Sequence, residues 1–367
     1  MLKRAALLMM LLLLWGSAHA SAQDFVYPAD ILFLMPNTAG IDQLWRIDAQ
    51  TGKLHQLTNS EQSVLAYDAI DEQIVYIAGD TLFADEQMIA TLSLASSFAP
   101  TVALSTDGRI AYSDDEGIWL YADKQSQLIL AHPADGSAIY QQPQFVPTYP
   151  QILLLSATIN DVQAVAVLNL ETNALSTLLQ GNVGSDDNEL YFFSDYTLLD
   201  DGRVLLYSRS RIHRCNPCGI WIAPDLSRFT QAAPIFDSNL PLAFPLRDNG
   251  LDEFLISPVD IVQTSSNTIR AVISYSVINV TGEMRMMQVV ADVDLISGTV
   301  HHIVDDQTQL FSLENARLAP NAELIVGTMH IGEAVPEGYG QLVIYEIGTG
   351  LYQTILSEIV HDVRWAN

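Results

Sequence analysis

Cys215-Asn216-Pro217-Cys218 is the sharpest chemical signal in the chain, and its two thiols are the only cysteines. Four readings are open. In an exported protein the default is a disulfide, Cys215 to Cys218, pinning a turn. So small a loop contributes only about 2 kcal/mol through chain entropy. A redox-active pair would draw on Arg211 and Arg214 to favour a thiolate, but it lacks the helix N-terminus that usually lowers such a pKa. Zinc would take His213 with both thiolates, yet a structural site needs four ligands and no second pair lies near. The fourth reading is a reduced, inert pair.

Oxygen and nitrogen ligands are the next chemistry to weigh. Asp186-Asp187-Asn188-Glu189 offers hard oxygens of the kind Ca2+ takes, but lacks the alternating Asp spacing and the Gly of a dedicated calcium loop. A solvated acidic loop is the plainer reading. The histidines after the leader are His55, His132, His213, His301, His302, His330 and His361. None forms the His-Glu-x-x-His spacing of a helical zinc site. His301 and His302 point to opposite faces of one strand, so adjacency does not let them chelate jointly. His330 lies in a long connecting segment and is the only one of these histidines to watch. No catalytic residue and no metal site is assigned; a binding role is expected for Asp186, Asp187, Asn188, Glu189, His213, His330 and Tyr339.

These residues must be held by repeated hairpins. Asp48-Ala49-Gln50-Thr51-Gly52, Asn169-Leu170-Glu171-Thr172-Asn173, Asp294-Leu295-Ile296-Ser297-Gly298 and Glu346-Ile347-Gly348-Thr349-Gly350 share one pattern. Gly or Asn falls where the turn requires positive φ, and alternating apolar residues flank each copy. A second hairpin recurs as Val102 to Tyr112 around Asp107-Gly108, Leu198 to Tyr207 around Asp201-Gly202, and Ala316 to Val326 around Pro320-Asn321. Weaker copies run from Tyr67 to Val75 and from Phe145 to Leu154. Pairing the two hairpins gives a four-stranded unit, and such units in series close into a ring. The expected fold is all-β: a seven-bladed β-propeller of four-stranded antiparallel blades.

The third strand of a blade opens with Trp45, Phe83, Trp119 or Trp221, and with Ala166, Ala291 or Val343 in the other three. Packing between blades is the expected role of this stripe. The chain ends fit together. Asp30-Ile31-Leu32-Phe33-Leu34 reads as a second strand without a first, whereas Val363-Arg364-Trp365-Ala366-Asn367 matches the first-strand piece Ala316-Arg317-Leu318-Ala319-Pro320-Asn321. The C-terminal strand is therefore expected to join the first blade and remove an exposed sheet edge.

The segment from Trp45 to Thr58 resembles the half-blade of TolB-type propellers, and the Arg-Leu-Ala-Pro-Asn and Val-Arg-Trp-Ala-Asn pieces resemble that family's first-strand motif. The resemblance spans essentially the whole chain after the leader and implies a blade, not an activity. The chain departs from TolB in having no separate α/β domain before the propeller, so TolB's partner role is not carried over. The Gly-His and Trp-Asp pairs of WD repeats are absent too.

Lys3 and Arg4, the apolar run from Ala5 to Trp15, and the small residues around Ala18-His19-Ala20 and Ala20-Ser21-Ala22 read as a cleaved signal peptide over residues 1–22. The run is too short for a spanning helix, which needs about 20 apolar residues. Residues 23–367 then form the single propeller domain of an exported protein, periplasmic or extracellular, with no integral membrane segment. Removing Lys3 and Arg4 takes the net charge from -27 to -29. That balance repels phosphate backbones and excludes nucleic acid as a partner. Charged residues are only 16% and hydrophobic ones 49%, which suits a packed β protein rather than an acidic tail.

Within a blade, the turns joining strands one to two and three to four lie on one end, and they are short. The connections joining strands two to three, and blade to blade, lie on the other end and include the long segments 181–194, 210–219, 239–253, 277–283 and 328–340. The expected function is a non-enzymatic binding scaffold that engages a protein, peptide or glycan through its long-loop face, with no cofactor. The alternative is a propeller enzyme of glycosidase, lyase or lactonase type, with carboxylates and Ca2+ at the central channel. No Gly-x-Ser-x-Gly elbow accompanies the repeats, which argues against a propeller peptidase.

Overall fold

The repeated turns adopt the conformation their residue types dictate. In the computed structural model, φ is +63° at Gly52, +55° at Asn173, +69° at Gly298 and +70° at Gly350. The first residue of each turn anchors the Thr or Ser. Asp48 Oδ1 accepts the Thr51 amide at 2.7 Å, Asn169 Oδ1 the Thr172 amide at 3.0 Å, and Asp294 Oδ1 the Ser297 amide at 2.7 Å. The Thr349 hydroxyl donates to Glu346 Oε2 at 2.6 Å. These donors hold the Asp48 and Asp294 carboxyls below the usual carboxylate range, foremost through the Thr51 side chain and the Ser297 amide respectively.

The structure describes residues 27–94, 99–160, 162–179, 195–207, 219–237, 255–278, 284–302, 313–330, 335, 336 and 338–366. They are almost entirely β, with one short 3-10 segment at Leu226–Gln231. The strands assemble into five four-stranded antiparallel sheets and one seven-stranded sheet. Consecutive strands pair with their neighbours, as hairpins linked by short turns require. This is the architecture of a β-propeller.

The seven-stranded sheet is built around the strand Leu351–Trp365. It pairs with Gly340–Glu346 as far as Val360↔Gly340. It then pairs with Ile31–Pro36, through His361↔Leu34, Arg364↔Leu32 and Trp365↔Ile31. The expected joining segment began at Val363; the pairing starts two residues earlier and continues an outer strand without an intervening loop. Asp362, at φ +47°, makes the bend that lets one strand serve both partners.

Apolar side chains gather in seven clusters among the described residues, each drawing on neighbouring blades. Alternation along each strand sends one face to each neighbour. The third-strand stripe falls one residue to a cluster: Trp45, Phe83, Trp119, Ala166, Trp221, Ala291 and Val343. Phe83 stacks on Tyr76 at 4.9 Å and Trp119 on Tyr112 at 6.2 Å between centroids. The aromatic stripe is packing, as its spacing suggests.

Arginines stitch the short-turn end. Arg109, paired with Asp107 at 2.7 Å, donates to Pro150 O at 2.7 Å in the next sheet. Arg203, paired with Asp201 at 2.7 Å, donates to Ser266 O at 2.9 Å. Arg270, held by Asp292 at 3.0 Å, donates to Ala322 O at 2.7 Å. Arg46 lies 3.5 Å from Asp30 and 3.4 Å from Glu72. Each reaches the first turn of the following blade, so this end is occupied by contacts within the molecule.

Candidate functional site

Residues on the opposite end meet where the last repeat adjoins the first. Innermost strands carry matching irregularities, two of them there and a third in the sheet that begins at Ala138. Pairing is interrupted between Glu314 and Arg317, between Gln141 and Gln144, and opposite Leu32 and Leu34. In each interruption a non-glycine residue takes positive φ: Asn315 at +52°, Gln142 at +50° and Asp362 at +47°. Bulges of this kind re-aim the side chain beside them. Glu314 and His361 occupy the same place in successive repeats, one residue before the bulge.

Glu314 and Asn315 pin the end of the segment 328–340. Glu314 Oε2 accepts the Gly338 amide, and the Asn315 side chain donates to Gly338 O at 2.9 Å. The Thr328 hydroxyl shares that carbonyl at 3.3 Å. Gly338 itself sits at φ +86°, which a side chain would strain. Thus clamped, the chain presents Tyr339 to His361, and their rings stack at 4.1 Å between centroids. His361 Nε2 lies 3.5 Å from Asp42 Oδ1, and His330 Nδ1 lies 3.9 Å from Glu314 Oε1. Burial pushes the Tyr339 phenol up, with the Asp42 charge adding to it.

His361 Nε2 is buried without a hydrogen bond. Asp42 keeps about a quarter of its side chain exposed, 25%, and its carboxylate accepts no hydrogen bond among the described residues. The Asp42 amide is anchored on the Ser63 hydroxyl at 3.0 Å, which fixes the residue at the rim. Nearby, Leu65 interrupts the pairing of its strand and is half exposed. The rim therefore offers a carboxylate and an imidazole held on rigid strands, with the phenol ring of Tyr339 stacked beside them.

Of the residues expected to bind, His330 and Tyr339 come together here. Asp186, Asp187, Asn188, Glu189 and His213 lie outside the described residues, as do Cys215 and Cys218. Sequence reasoning missed Asp42, Glu314 and His361. The signal for two of them was present: His361-Asp362-Val363-Arg364 aligns with Glu314-Asn315-Ala316-Arg317. Among the described residues no three His, Cys, Asp or Glu side chains are grouped as metal ligands, and no helix is long and apolar enough to cross a membrane.

No protein-family model matches the chain, and no curated protein sequence matches it. Solved structures are similar to it at low identity. TolB from Acinetobacter baumannii is 14% identical, with 94% of this chain and 67% of that one covered and a TM-score of 0.45. An oligogalacturonate lyase in complex with manganese is 11% identical, covering 90% and 74%, with a TM-score of 0.47. Oligogalacturonate lyase from Vibrio parahaemolyticus is 9% identical, covering 92% and 83%, with a TM-score of 0.44. At these identities and TM-scores, neither ligand nor activity passes from those proteins to this chain.

Proposed function

We propose that this chain is an exported binding scaffold: a seven-bladed propeller, completed by its C-terminal strand, whose long-loop face engages a protein, peptide or glycan. The reading of seven blades is supported by the one-per-cluster distribution of the third-strand stripe, and completion by the pairing of Trp365 with Ile31. Export is supported by Lys3, Arg4 and the apolar run that follows them. The observation that carries the binding reading is the contrast between the two ends. Arginines commit one end to internal contacts, whereas the other gathers Asp42, Glu314, His330, Tyr339 and His361 at the foot of a long connection.

The test is capture from native envelope or culture fluid by the purified chain lacking residues 1–22. A variant with residues 328–340 replaced by a short turn serves as comparison, with and without a chelator. A partner retained equally by both proteins would overturn the assignment of this face. The enzymatic reading draws on the same two His–carboxylate pairs, which are acid–base groups in type. Turnover of an oligosaccharide or lactone that disappears in His361→Gln would favour it.

A further inference from the structure

We propose that the rim around Asp42 and Tyr339 is a subsite for an organic cation, an alkylammonium or guanidinium group. The inference rests on the binding reading of this face and names the chemistry it selects. Asp42 is the starting point. Its carboxylate is fixed at the rim, partly exposed, and accepts no hydrogen bond among the described residues. His361 faces it at 3.5 Å without making one, so the imidazole leaves the acceptor capacity of Asp42 unspent. A carboxylate so placed accepts strongly from a charged N–H donor.

The surroundings favour a cation over an anion or a metal ion. Glu314, one repeat away, spends one oxygen on the Gly338 amide, and its other oxygen lies 3.9 Å from His330, its nearest cationic partner among the described residues. Asp362, on the same strand as His361, is 47% exposed and lies 3.9 Å from the Arg364 guanidinium, so its charge is partly answered within the chain. Among the described residues, Arg364 is the arginine on that strand, and it is committed to Tyr67, Asp68 and Asp362. With a chain charge of -27, the local field attracts positive ligands. A bare metal ion would require three ligating groups together, which the described residues do not supply. Tyr339 adds an aromatic surface, which suits an alkylammonium or guanidinium better than a small hydrated ion.

Such a group arrives either on a free polyamine or on a Lys or Arg side chain of a peptide. Calorimetric titration of the chain lacking residues 1–22, at low ionic strength, with spermidine, trilysine and Nζ-acetylated trilysine tests the proposal and separates the sources. Saturable binding of spermidine or trilysine but not of the acetylated peptide is expected. Tighter spermidine binding would assign the polyamine, and tighter trilysine binding the peptide. Asp42→Asn and Tyr339→Leu should each weaken binding at least tenfold, whereas Glu72→Gln on the opposite end should leave it unchanged. Tyr339→Leu leaves both carboxylates in place and decides the matter if Asp42→Asn does not fold. No binding, or equal weakening by Glu72→Gln and Asp42→Asn, would overturn the proposal. If the cations fail while the 328–340 replacement still abolishes partner capture, the subsite falls and the scaffold reading stands.

Discussion

The guanidinium of Arg364 lies over the ring of Tyr67, 3.7 Å from its centroid, although 297 residues separate the two in sequence. Arg364 also donates to Tyr67 O and lies 3.5 Å from Asp68, while the Tyr67 hydroxyl donates to Asp362 O at 2.6 Å. Asp68 in turn accepts the Leu104 amide of the following sheet at 2.8 Å. The clasp joins the strand Leu351–Trp365 to the second and third sheets.

Removing this clasp should be costly. Arg364→Ala is expected to lower stability by about 2–4 kcal/mol, from the lost cation–π contact and the charged hydrogen bond. Deletion of residues 363–367 should do more, because it strips Ile31 and Leu32 of their inner partners. Urea denaturation followed by tryptophan fluorescence measures both, and curves that superimpose on wild type would contradict the pairing.

Tyr67 gives a pH signature. Burial pushes its phenol well above the ordinary tyrosine value, more than the Arg364 charge lowers it. A pKa raised on folding contributes stability below the unfolded value, near 10, and that stability is lost as pH rises through the folded value. Ultraviolet titration of the native protein should therefore show at least one tyrosine fewer ionising near pH 10 than the protein in denaturant. Tyr67→Phe should shrink that deficit and lessen the alkaline fall in stability without abolishing either, because burial also raises Tyr27, Tyr76, Tyr112, Tyr339 and Tyr345.

The arginine stitches should differ among themselves according to exposure. Arg270 has a bidentate contact with Asp292 and donates to a carbonyl, so Arg270→Ala is expected to cost about 1–3 kcal/mol. Arg46→Ala should cost less, since Glu72 is 90% exposed and such pairs contribute about 0.2–1 kcal/mol. Equal losses in the two variants would refute this ranking.

Cys215 and Cys218 make a separate test of the disulfide reading. Alkylation of the unfolded, unreduced chain should add no mass if the pair is bridged, and two adducts only after reduction. Two adducts without reductant would favour the inert or redox-active readings.

Much of the architecture was legible because hairpin chemistry is local. Asp48 to Gly52 and Asp294 to Gly298 declare their turns through residues that few other conformations prefer. The stripe from Trp45 to Val343 was legible because each member faces one neighbour at a fixed register. The site was less so. Asp42, Glu314 and His361 stand in three different strands, and only the bulges at Asn315 and Asp362 bring the last two to the rim. Bulge geometry depends on the partner strand and leaves little trace in one sequence, beyond the Asp or Asn that tolerates positive φ. His330 and Tyr339 were visible only through the length of the segment that carries them.

Because Ile31 and Leu32 take their inner partners from Trp365 and Arg364, strands made early by the ribosome wait for one made more than 300 residues later (roughly, at one residue per elongation step). Until Trp365 has emerged, the sheet around Ile31 presents an open apolar border to any neighbouring chain. The border at Ile31 is thus closed only by one of the last stretches of the chain to be made.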